Sequence, residues 1–245
     1  MKFGYMSGFR ADLVSEIEFV KKHFDFTEIT IQPALLQSID DILPDLKKSI
    51  GGFEVVGHVH WEILERDEII KNIEVLKDLG AKKVTIHPFQ NLSIEDNIKI
   101  FAEIDIFMQK NEMQLLIENV SSTPFNLAKD IKKLVEEIPN AKITLDIGHA
   151  NINNELDNFM ASFKLKIGHI HLHDNVGKAD HLFFSDKGKL KDMVATIKSL
   201  DYDDTILLET FSIMQDNKNA SQEFAEIKEL HLGQLKMINT NNLMK

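Results

Sequence analysis

Three histidines occupy alternate positions in one short stretch of the sequence, the segment IGHIHLHDN at residues 167–175. In a β-strand, side chains two residues apart point to the same face, so His169, His171 and His173 would project together. Imidazoles that share a face can bind a metal ion or transfer a proton. A polar run on a solvated strand face explains the isolated motif equally well, so the rest of the chain must distinguish the two interpretations.

Other metal-type ligands follow the ends of further predicted strands. Carboxylates end the segments MQLLIE (Glu118), AKITLD (Asp146) and DDTILLE (Glu209). A single buried His or Glu is more often a hydrogen-bonded structural residue than a ligand. Because every predicted strand from the third to the eighth supplies one, a shared metal site explains the pattern better. Eight of the ten histidines lie at or just after such strand ends: His58, His60, His87, His149, His169, His171, His173 and His181.

The elements that must position these side chains alternate along the whole chain. Short β-branched or apolar runs predict eight strands, and longer segments with apolar residues three and four apart predict amphipathic helices between them. At about 31 residues per strand–helix unit, this pattern predicts an α/β fold, a single-domain (β/α)8 TIM barrel over residues 1–245. The C-terminal strand ends of such a barrel surround one pocket. The predicted strands are 2–6, 26–32, 53–60, 83–87, 113–119, 141–147, 166–173 and 205–210.

Local start and stop signals support several of the helices. Ser93 and Asp96 form a capping pair before an apolar-periodic segment, and Gly80 is placed to end a helix. Thr123 followed by Pro124 predicts a helix N-cap and first helical position. These signals predict helix boundaries that agree with the strand assignment.

Composition narrows both the ligands and the partners. The sequence contains no cysteine, so a metal ion must be held by His, Asp or Glu. A formal net charge of −11 and only two arginines, Arg10 and Arg66, weigh against a nucleic-acid partner. The N-terminus lacks the apolar segment of a signal peptide, and no apolar run could span a bilayer. We expect a cytoplasmic protein without a membrane partner, and the oligomeric state is open.

Six motifs at the strand ends occur in a familiar order along nearly the whole chain. They are HVHWEIL, TIHPF, LLIENV, LDIGHAN, HLHD and LLET. Together they resemble the xylose isomerase-like TIM barrels, the superfamily that joins sugar isomerases and epimerases with AP endonucleases of the endonuclease IV type. The matched positions are His58, His87, Glu118, Asp146, His149, His171 and Glu209.

The resemblance implies a divalent metal ion, Zn²⁺, Mn²⁺, Co²⁺ or Mg²⁺, held by four of these residues: Glu118, Asp146, His171 and Glu209. Such a site can bind two oxygens of a hydroxy-ketone and stabilise an enediolate. In isomerases of this kind two glutamates also move the proton, so Glu118 and Glu209 are expected to be catalytic. We therefore expect an isomerase or epimerase of a small-molecule sugar or polyol.

The remaining polar residues receive supporting roles. His149 is expected to contact substrate or to help hold a third metal ion, together with Asp180 or His181. The family often has an Asp-x-His pair at this point, whereas Asp180 and His181 are adjacent here, so either could be the ligand. His60 and Trp61 are expected to line the pocket.

Within the histidine run, only the central residue matches the family motif. His171 is therefore expected to bind metal, and His169 to pack or orient within the barrel core. His173 is expected to line the pocket, where it would meet substrate or the following loop.

Two alternative functions remain open. An endonuclease IV-like phosphodiesterase would use a possible second metal site of His58 and His87 with Glu118. The acidity, the shortage of arginine and the altered Asp-His pair weigh against it. The other alternative is a catalytically silent metal-binding barrel, because one fold supports many functions.

Overall fold

A computed structural model of the chain describes residues 2–9, 12–173, 181, 197 and 202–209. Within them, eight parallel strands pair in sequence order, and β8 pairs with β1 to close a barrel. This confirms the predicted single-domain (β/α)8 fold. The strands are β1 (Lys2–Ser7), β2 (Phe26–Ile31), β3 (Glu54–Val59), β4 (Lys83–Ile86), β5 (Gln114–Glu118), β6 (Lys142–Asp146), β7 (Ile167–Leu172) and β8 (Thr205–Leu208).

Helices connect the strands and cover the outside of the barrel. Their apolar residues pack against the sheet, as the contacts of α1 with β1 and of α5 with β5 show. Among the helices that the described residues form, none is both long and apolar enough to cross a membrane. The helices are α1 (Leu13–His23), α2 (Pro33–Gln37), α3 (Ile39–Ile50), α4 (Arg66–Asp78), α5 (Ile94–Lys110), α6 (Ala128–Glu136), α7 (Ile147–Ile152) and α8 (Leu156–Phe163).

The predicted helix boundaries agree with the structure in two of three cases. The Ser93 hydroxyl accepts from the backbone N–H of Asp96 at 3.0 Å and donates to its carboxylate at 2.8 Å, which confirms the capping pair. Gly80 follows the end of α4 with a φ of +96°, as predicted. The third prediction is wrong, because α6 begins at Ala128 and not at Pro124.

The physical reason for this error lies between the proline and the helix. Phe125 has a φ of +75° and a fully buried side chain. A residue in the left-handed region cannot continue a right-handed helix, so a helix starting at Pro124 would be interrupted at once. Burial of the Phe125 ring therefore outweighs the local N-terminal signal of Thr123 and Pro124.

Polar side chains occupy much of the barrel interior. On β7, His169 and His171 are fully buried, and so is His173 just after the strand. The pairing of β7 with β6 skips Gly168, since Ile143 pairs with Ile167 and Thr144 with His169. Such a bulge re-aims the side chains that follow it. His169 and His171 then alternate along β7, which ends at Leu172, one residue before the predicted end at His173.

A glycine at the end of β1 holds the first loop close to β2. Gly8 has a φ of +115°, and a Cβ at this position would lie 1.9 Å from the carbonyl oxygen of Thr30. Its N–H donates to the buried Glu16 carboxylate at 2.8 Å, and its carbonyl accepts from the Gln32 amide at 2.9 Å. The backbones of β1 and β2 can approach this closely only because the side chain is absent.

We expect Gly8→Ala to lower the free energy of unfolding by more than about 1 kcal/mol, because a disfavoured φ and a steric clash add together. Gly80→Ala is the matched control, since Gly80 has a φ of +96° but no atom within 4 Å of its would-be Cβ. Urea unfolding of the metal-free protein measures both. Equal destabilisation of the two variants would contradict the close approach at Gly8.

Candidate metal centre

His171 lies at the middle of a cluster of buried carboxylates. Its Nδ1 lies 3.0 Å from Oε1 of Glu118 on β5 and 2.9 Å from Oε2 of Glu209 after β8. Asp146, at the end of β6, completes a group of four residues whose ligand atoms all lie within 4.8 Å of one another. The structure thus brings together the four residues that the sequence nominated for one metal ion.

The strand ends and their hydrogen bonds position these side chains. The backbone N–H of Glu209 donates to the carbonyl of Leu172 at 3.1 Å, which ties the end of β8 to the end of β7. The Asn119 amide binds both backbone groups of Asp146: it accepts from the N–H and donates to the carbonyl, each at 2.9 Å. Sequence reasoning gave Asn119 no role, although it directly follows the ligand candidate Glu118.

The charges in the cluster stabilise one another against the cost of burial. Burial alone would raise the pKa of Glu209, but the facing His171 and His181 outweigh it and lower that pKa to about 2. The pKa of Glu118 also falls well below its usual value, because His171 and His87 outweigh burial. Burial would lower the pKa of His171, but Glu118, Glu28 and Glu209 raise it well above its usual value. Without metal, these carboxylates therefore favour a positive charge on His171.

The residues of this cluster fit a divalent cation. Oε2 of Glu209 is buried and makes no hydrogen bond to any part of the chain that the structure describes. Its contact with His171 has the distance of an ion pair but not hydrogen-bond geometry. Three carboxylates and one imidazole form a hard oxygen and nitrogen donor set, of the kind that Mg²⁺, Mn²⁺, Co²⁺ and Zn²⁺ accept.

A second group of candidate ligands shares one carboxylate with the first. Nε2 of His58 and Nε2 of His87 lie 3.1 and 3.0 Å from the same Oε2 of Glu118. The two imidazole rings meet edge to face with their centroids 4.9 Å apart. Glu118 thus offers Oε1 to His171 and Oε2 to His58 and His87. The pair that the sequence nominated as a possible second metal site is assembled beside the first.

A third group collects around the other side of Asp146. Its Oδ1 accepts from the backbone N–H of His149 at 2.6 Å, and Nε2 of His173 lies 3.1 Å from the same atom. The backbone N–H of His181 donates to Nδ1 of His173 at 2.8 Å, so His173 carries its proton on Nε2 and donates to Asp146. The structure brings His149 and His181 together, as expected, whereas Asp180 lies outside the described residues.

Gly148 makes room for this third group. A Cβ on Gly148 would lie 2.1 Å from the imidazole ring of His173. The missing side chain therefore lets the ring pack against the backbone at the start of α7 and reach Asp146. His173, which was expected to line the pocket, is fully buried in this contact.

A cavity of about 460 Å³ lies beside the second and third groups, with His87 and His149 in its lining. His60, Trp61, His87 and His149 line it, so the first two lie where the sequence placed them. Trp61 is about half exposed, and its ring stacks on His60 with a centroid distance of 3.9 Å. A larger cavity of about 680 Å³ lies at the opposite end of the barrel among the strand starts. Of these two cavities, the first has candidate ligands in its lining and lies at the C-terminal strand ends, where barrels of this architecture bind their ligands.

Glu28 is the buried residue that sequence reasoning missed. It lies in the middle of β2, and its Oε2 is 3.1 Å from Nε2 of His169 and 3.2 Å from Nε2 of His171. Burial would raise its pKa, but His171 and His169 outweigh this and lower it to about 2. A carboxylate within the predicted strand segment FTEITI was the available signal, but it gave no indication of the partner.

Most of the chain matches one known protein family in sequence. A sequence model described as xylose isomerase-like TIM barrel matches residues 33–230. Over 126 residues the chain is 32% identical to an uncharacterized protein of Methanocaldococcus jannaschii, an alignment that covers 48% of this chain and 50% of that protein. The chain therefore matches only about half the length of this curated relative.

Two solved structures illustrate the range of similar barrels. A D-tagatose 3-epimerase-like protein superposes with a TM-score of 0.77 at 22% identity, over 98% of this chain and 99% of that chain. Endonuclease IV from Thermus thermophilus superposes with a TM-score of 0.64 at 16% identity, over 97% of this chain and 100% of that chain. At these identities the likeness shows the fold alone.

We expect the stability of the metal-free protein to depend on pH through His171. A raised folded-state pKa means that its contribution is complete below the unfolded value of about 6.5 and is lost as pH rises through the folded value. Glu209 has the opposite sign, because its contribution is present above the unfolded value of about 4.3 and is lost as pH falls toward its folded value.

Urea unfolding of EDTA-treated protein between pH 5 and 9 measures this effect. The difference in unfolding free energy between wild type and His171→Asn should be largest near pH 5 to 6 and should shrink as the pH rises. His23→Asn, on the surface helix α1, controls for the loss of one imidazole. A wild-type-minus-His171→Asn difference that is flat with pH would contradict the assigned charge of His171.

Proposed function

The chain belongs to the xylose isomerase-like TIM barrel family, and from that premise we propose that it is a divalent-metal-dependent isomerase or epimerase of a sugar or related polyhydroxy-ketone. The observation that carries this proposal is the placement of two glutamates around one imidazole. Glu118 and Glu209 approach the same Nδ1 of His171 from β5 and from the end of β8. Two carboxylates placed in this way can act as acid and base in proton transfer at a substrate carbon.

The ionisation state of these glutamates suits the first step of the reaction, which is removal of a proton from a substrate carbon. The pKa of each is lowered, so both are ionised near neutral pH and either can accept a proton from the carbon next to a carbonyl. The glutamate that accepts this proton can return it to an adjacent carbon, which completes an isomerisation. Delivery to the opposite face, as in an epimerase, uses a proton that the other glutamate first takes up from solvent. A divalent cation held by Glu118, Asp146, His171 and Glu209 would stabilise the negative charge that develops on the substrate oxygens.

The adjoining cavity supports a polyol substrate. His149 lines it and can hydrogen-bond a hydroxyl, and the exposed face of Trp61 offers an apolar surface for the carbon chain. The rings of His60 and Phe9 stack with Trp61 at centroid distances of 3.9 and 6.0 Å. The fold similarity to a D-tagatose 3-epimerase-like protein supports a ketose as the first substrate class to test.

The decisive experiment is exchange of a substrate proton with solvent. We expect Glu118→Gln and Glu209→Gln each to slow hydrogen–deuterium exchange at the carbon next to the carbonyl by at least about 100-fold, because each removes an acid/base group. A panel of ketoses in D2O, followed by NMR with protein loaded with Mn²⁺, Co²⁺, Mg²⁺ or Zn²⁺, measures the rate.

The control variant is Glu62→Gln. The Glu62 carboxylate is two-thirds exposed near His60 and belongs to none of the three ligand groups. The metal content of each variant is measured in parallel, which separates loss of proton transfer from loss of metal. Exchange at the wild-type rate in both glutamate variants would refute the proposed roles.

A second candidate is metal-dependent cleavage of a phosphodiester, as in the AP endonucleases. The contacts of His58 and His87 with Glu118 favour it, because they assemble a second set of ligands beside the first. An abasic DNA duplex is the substrate to test. Cleavage that EDTA abolishes and that falls steeply with salt would support this candidate, since phosphate contacts release counterions.

One variant discriminates between the two reactions. His58→Asn removes a ligand of the possible second metal site but leaves the cluster of Glu118, Asp146, His171 and Glu209 intact. We expect it to abolish phosphodiester cleavage, if the wild type has that activity, and to preserve proton exchange. A wild-type protein that binds metal but catalyses neither reaction is the catalytically silent barrel.

A further inference from the structure

A chain of buried hydrogen bonds runs through the barrel interior to the candidate metal centre. At the end nearer the candidate metal centre, Oε2 of Glu28 contacts Nε2 of His169 and Nε2 of His171 at 3.1 and 3.2 Å. At the opposite end, among the strand starts, Nζ of Lys83, the first residue of β4, lies 2.6 Å from the hydroxyl of Thr205. The Thr205 hydroxyl in turn lies 2.7 Å from Nδ1 of His169. We call these five residues the interior column.

Nδ1 of His169 lies 2.7 Å from the Thr205 hydroxyl and 3.1 Å from the Thr205 backbone carbonyl. For a neutral His169 whose Nε2 donates to Glu28, the donors and acceptors of the interior column leave one consistent arrangement. An ammonium group only donates, so Lys83 donates to the Thr205 hydroxyl, whose own hydrogen is then free to reach Nδ1 of His169. A carboxylate only accepts, so Nε2 of His169 and Nε2 of His171 both donate to Glu28. Every donor along the interior column meets an acceptor.

This arrangement decides which nitrogen of His171 faces the centre as a ligand. A metal-binding imidazole is neutral and carries one hydrogen, and its other nitrogen provides the lone pair. With the hydrogen on Nε2, held by Glu28, the lone pair lies on Nδ1, which is the atom beside Glu118 and Glu209. The opposite tautomer would turn an N–H toward those carboxylates and place a lone pair against Glu28.

We propose that Glu28 is a positioning residue, which holds His171 in the Nε2–H tautomer and thereby presents Nδ1 as the metal ligand. His169, Thr205 and Lys83 hold Glu28 in place. This inference rests on the metal centre of the proposed function and concerns a residue outside the four ligands. A carboxylate that accepts from a ligating histidine fixes both the tautomer and the ring orientation, and its loss typically weakens metal binding about 10- to 100-fold.

The central test is Zn²⁺ affinity, measured without substrate by competition with a chromophoric chelator. The binding step that is absent in His171→Asn identifies this centre among the three ligand groups. We expect Glu28→Gln to weaken that step about 10- to 100-fold, because a neutral amide oxygen is a weaker acceptor for the two imidazole N–H groups than the charged carboxylate oxygen.

The matched control is Thr85→Val. The Thr85 hydroxyl pairs with that of Thr144 at 2.8 Å inside the same barrel, so this variant also loses a buried hydrogen bond but leaves the interior column intact. Its Zn²⁺ affinity should stay near that of the wild type. If Glu28→Gln does not fold, Thr205→Val removes the donor to His169 and should weaken Zn²⁺ binding relative to Thr85→Val.

A spectroscopic readout separates positioning from a general structural effect. In ¹⁵N-labelled, Zn²⁺-loaded wild type, the correlations of the His171 ring should show hydrogen on Nε2 and metal on Nδ1. In Glu28→Gln that single pattern should be lost or mixed. Wild-type affinity in Glu28→Gln, or Zn²⁺ bound to His171 through Nε2 in the wild type, would overturn the proposal.

Failure here and failure of the proposed reaction have different signatures. A protein that exchanges no substrate proton but shows the Glu28-dependent affinity and tautomer refutes the isomerase and retains this inference. A protein that exchanges a substrate proton, but whose Glu28→Gln variant binds Zn²⁺ with wild-type affinity, refutes this inference and retains the isomerase. A wild type that binds no Zn²⁺ overturns this inference and the metal centre together.

Discussion

The burial of several carboxylates around a single imidazole is the constraint on which the rest of the structure depends. Glu118, Asp146 and Glu209 are all buried near His171, and Glu28 contacts it from below. An isolated buried charge is costly, so negative groups can share this volume only if positive charge is present. In the metal-free protein, protonated His171 supplies part of that charge. Divalent cations are better suited to it, because they bring two charges to the same place.

The barrel makes this concentration of charge possible at one end only. Eight parallel strands bring their C-terminal ends to one rim, so candidate ligands from β3 to β8 converge although they are far apart in sequence. Backbone contacts then hold the rim in register, as Asn119 does for Asp146. Glycine is needed where a ring or a neighbouring strand comes too close for any side chain, as at Gly148 and Gly8. The positions of the rim residues therefore depend on backbone packing as well as on the contacts among the candidate ligands.

The interior of the barrel also departs from a purely apolar core. Lys83, Thr205, His169 and Glu28 form hydrogen bonds from the strand starts up to His171. Buried polar groups are tolerated when each has a partner, and a fully satisfied network favours one arrangement over its alternatives. The polar interior therefore has the same physical basis as the rim, since each charge or dipole is balanced by the next. Glu118, shared between His171 and the pair His58 and His87, links the ligand groups in the same way.

The sequence by itself determined the fold and most of the rim, because both follow from local periodicity. Apolar spacing located all eight strands, the Ser93 pair located the start of α5, and the alternation of His169 and His171 placed both imidazoles against Glu28 in the barrel interior. The tertiary structure alone decided the partners. Local signals at Thr123 and Pro124 predicted a helix that the burial of Phe125 prevents. Glu28 resembled an ordinary strand residue until the closed barrel brought it against His171, 143 positions away. Contacts between distant strands depend on barrel closure and register, which no short stretch of sequence encodes.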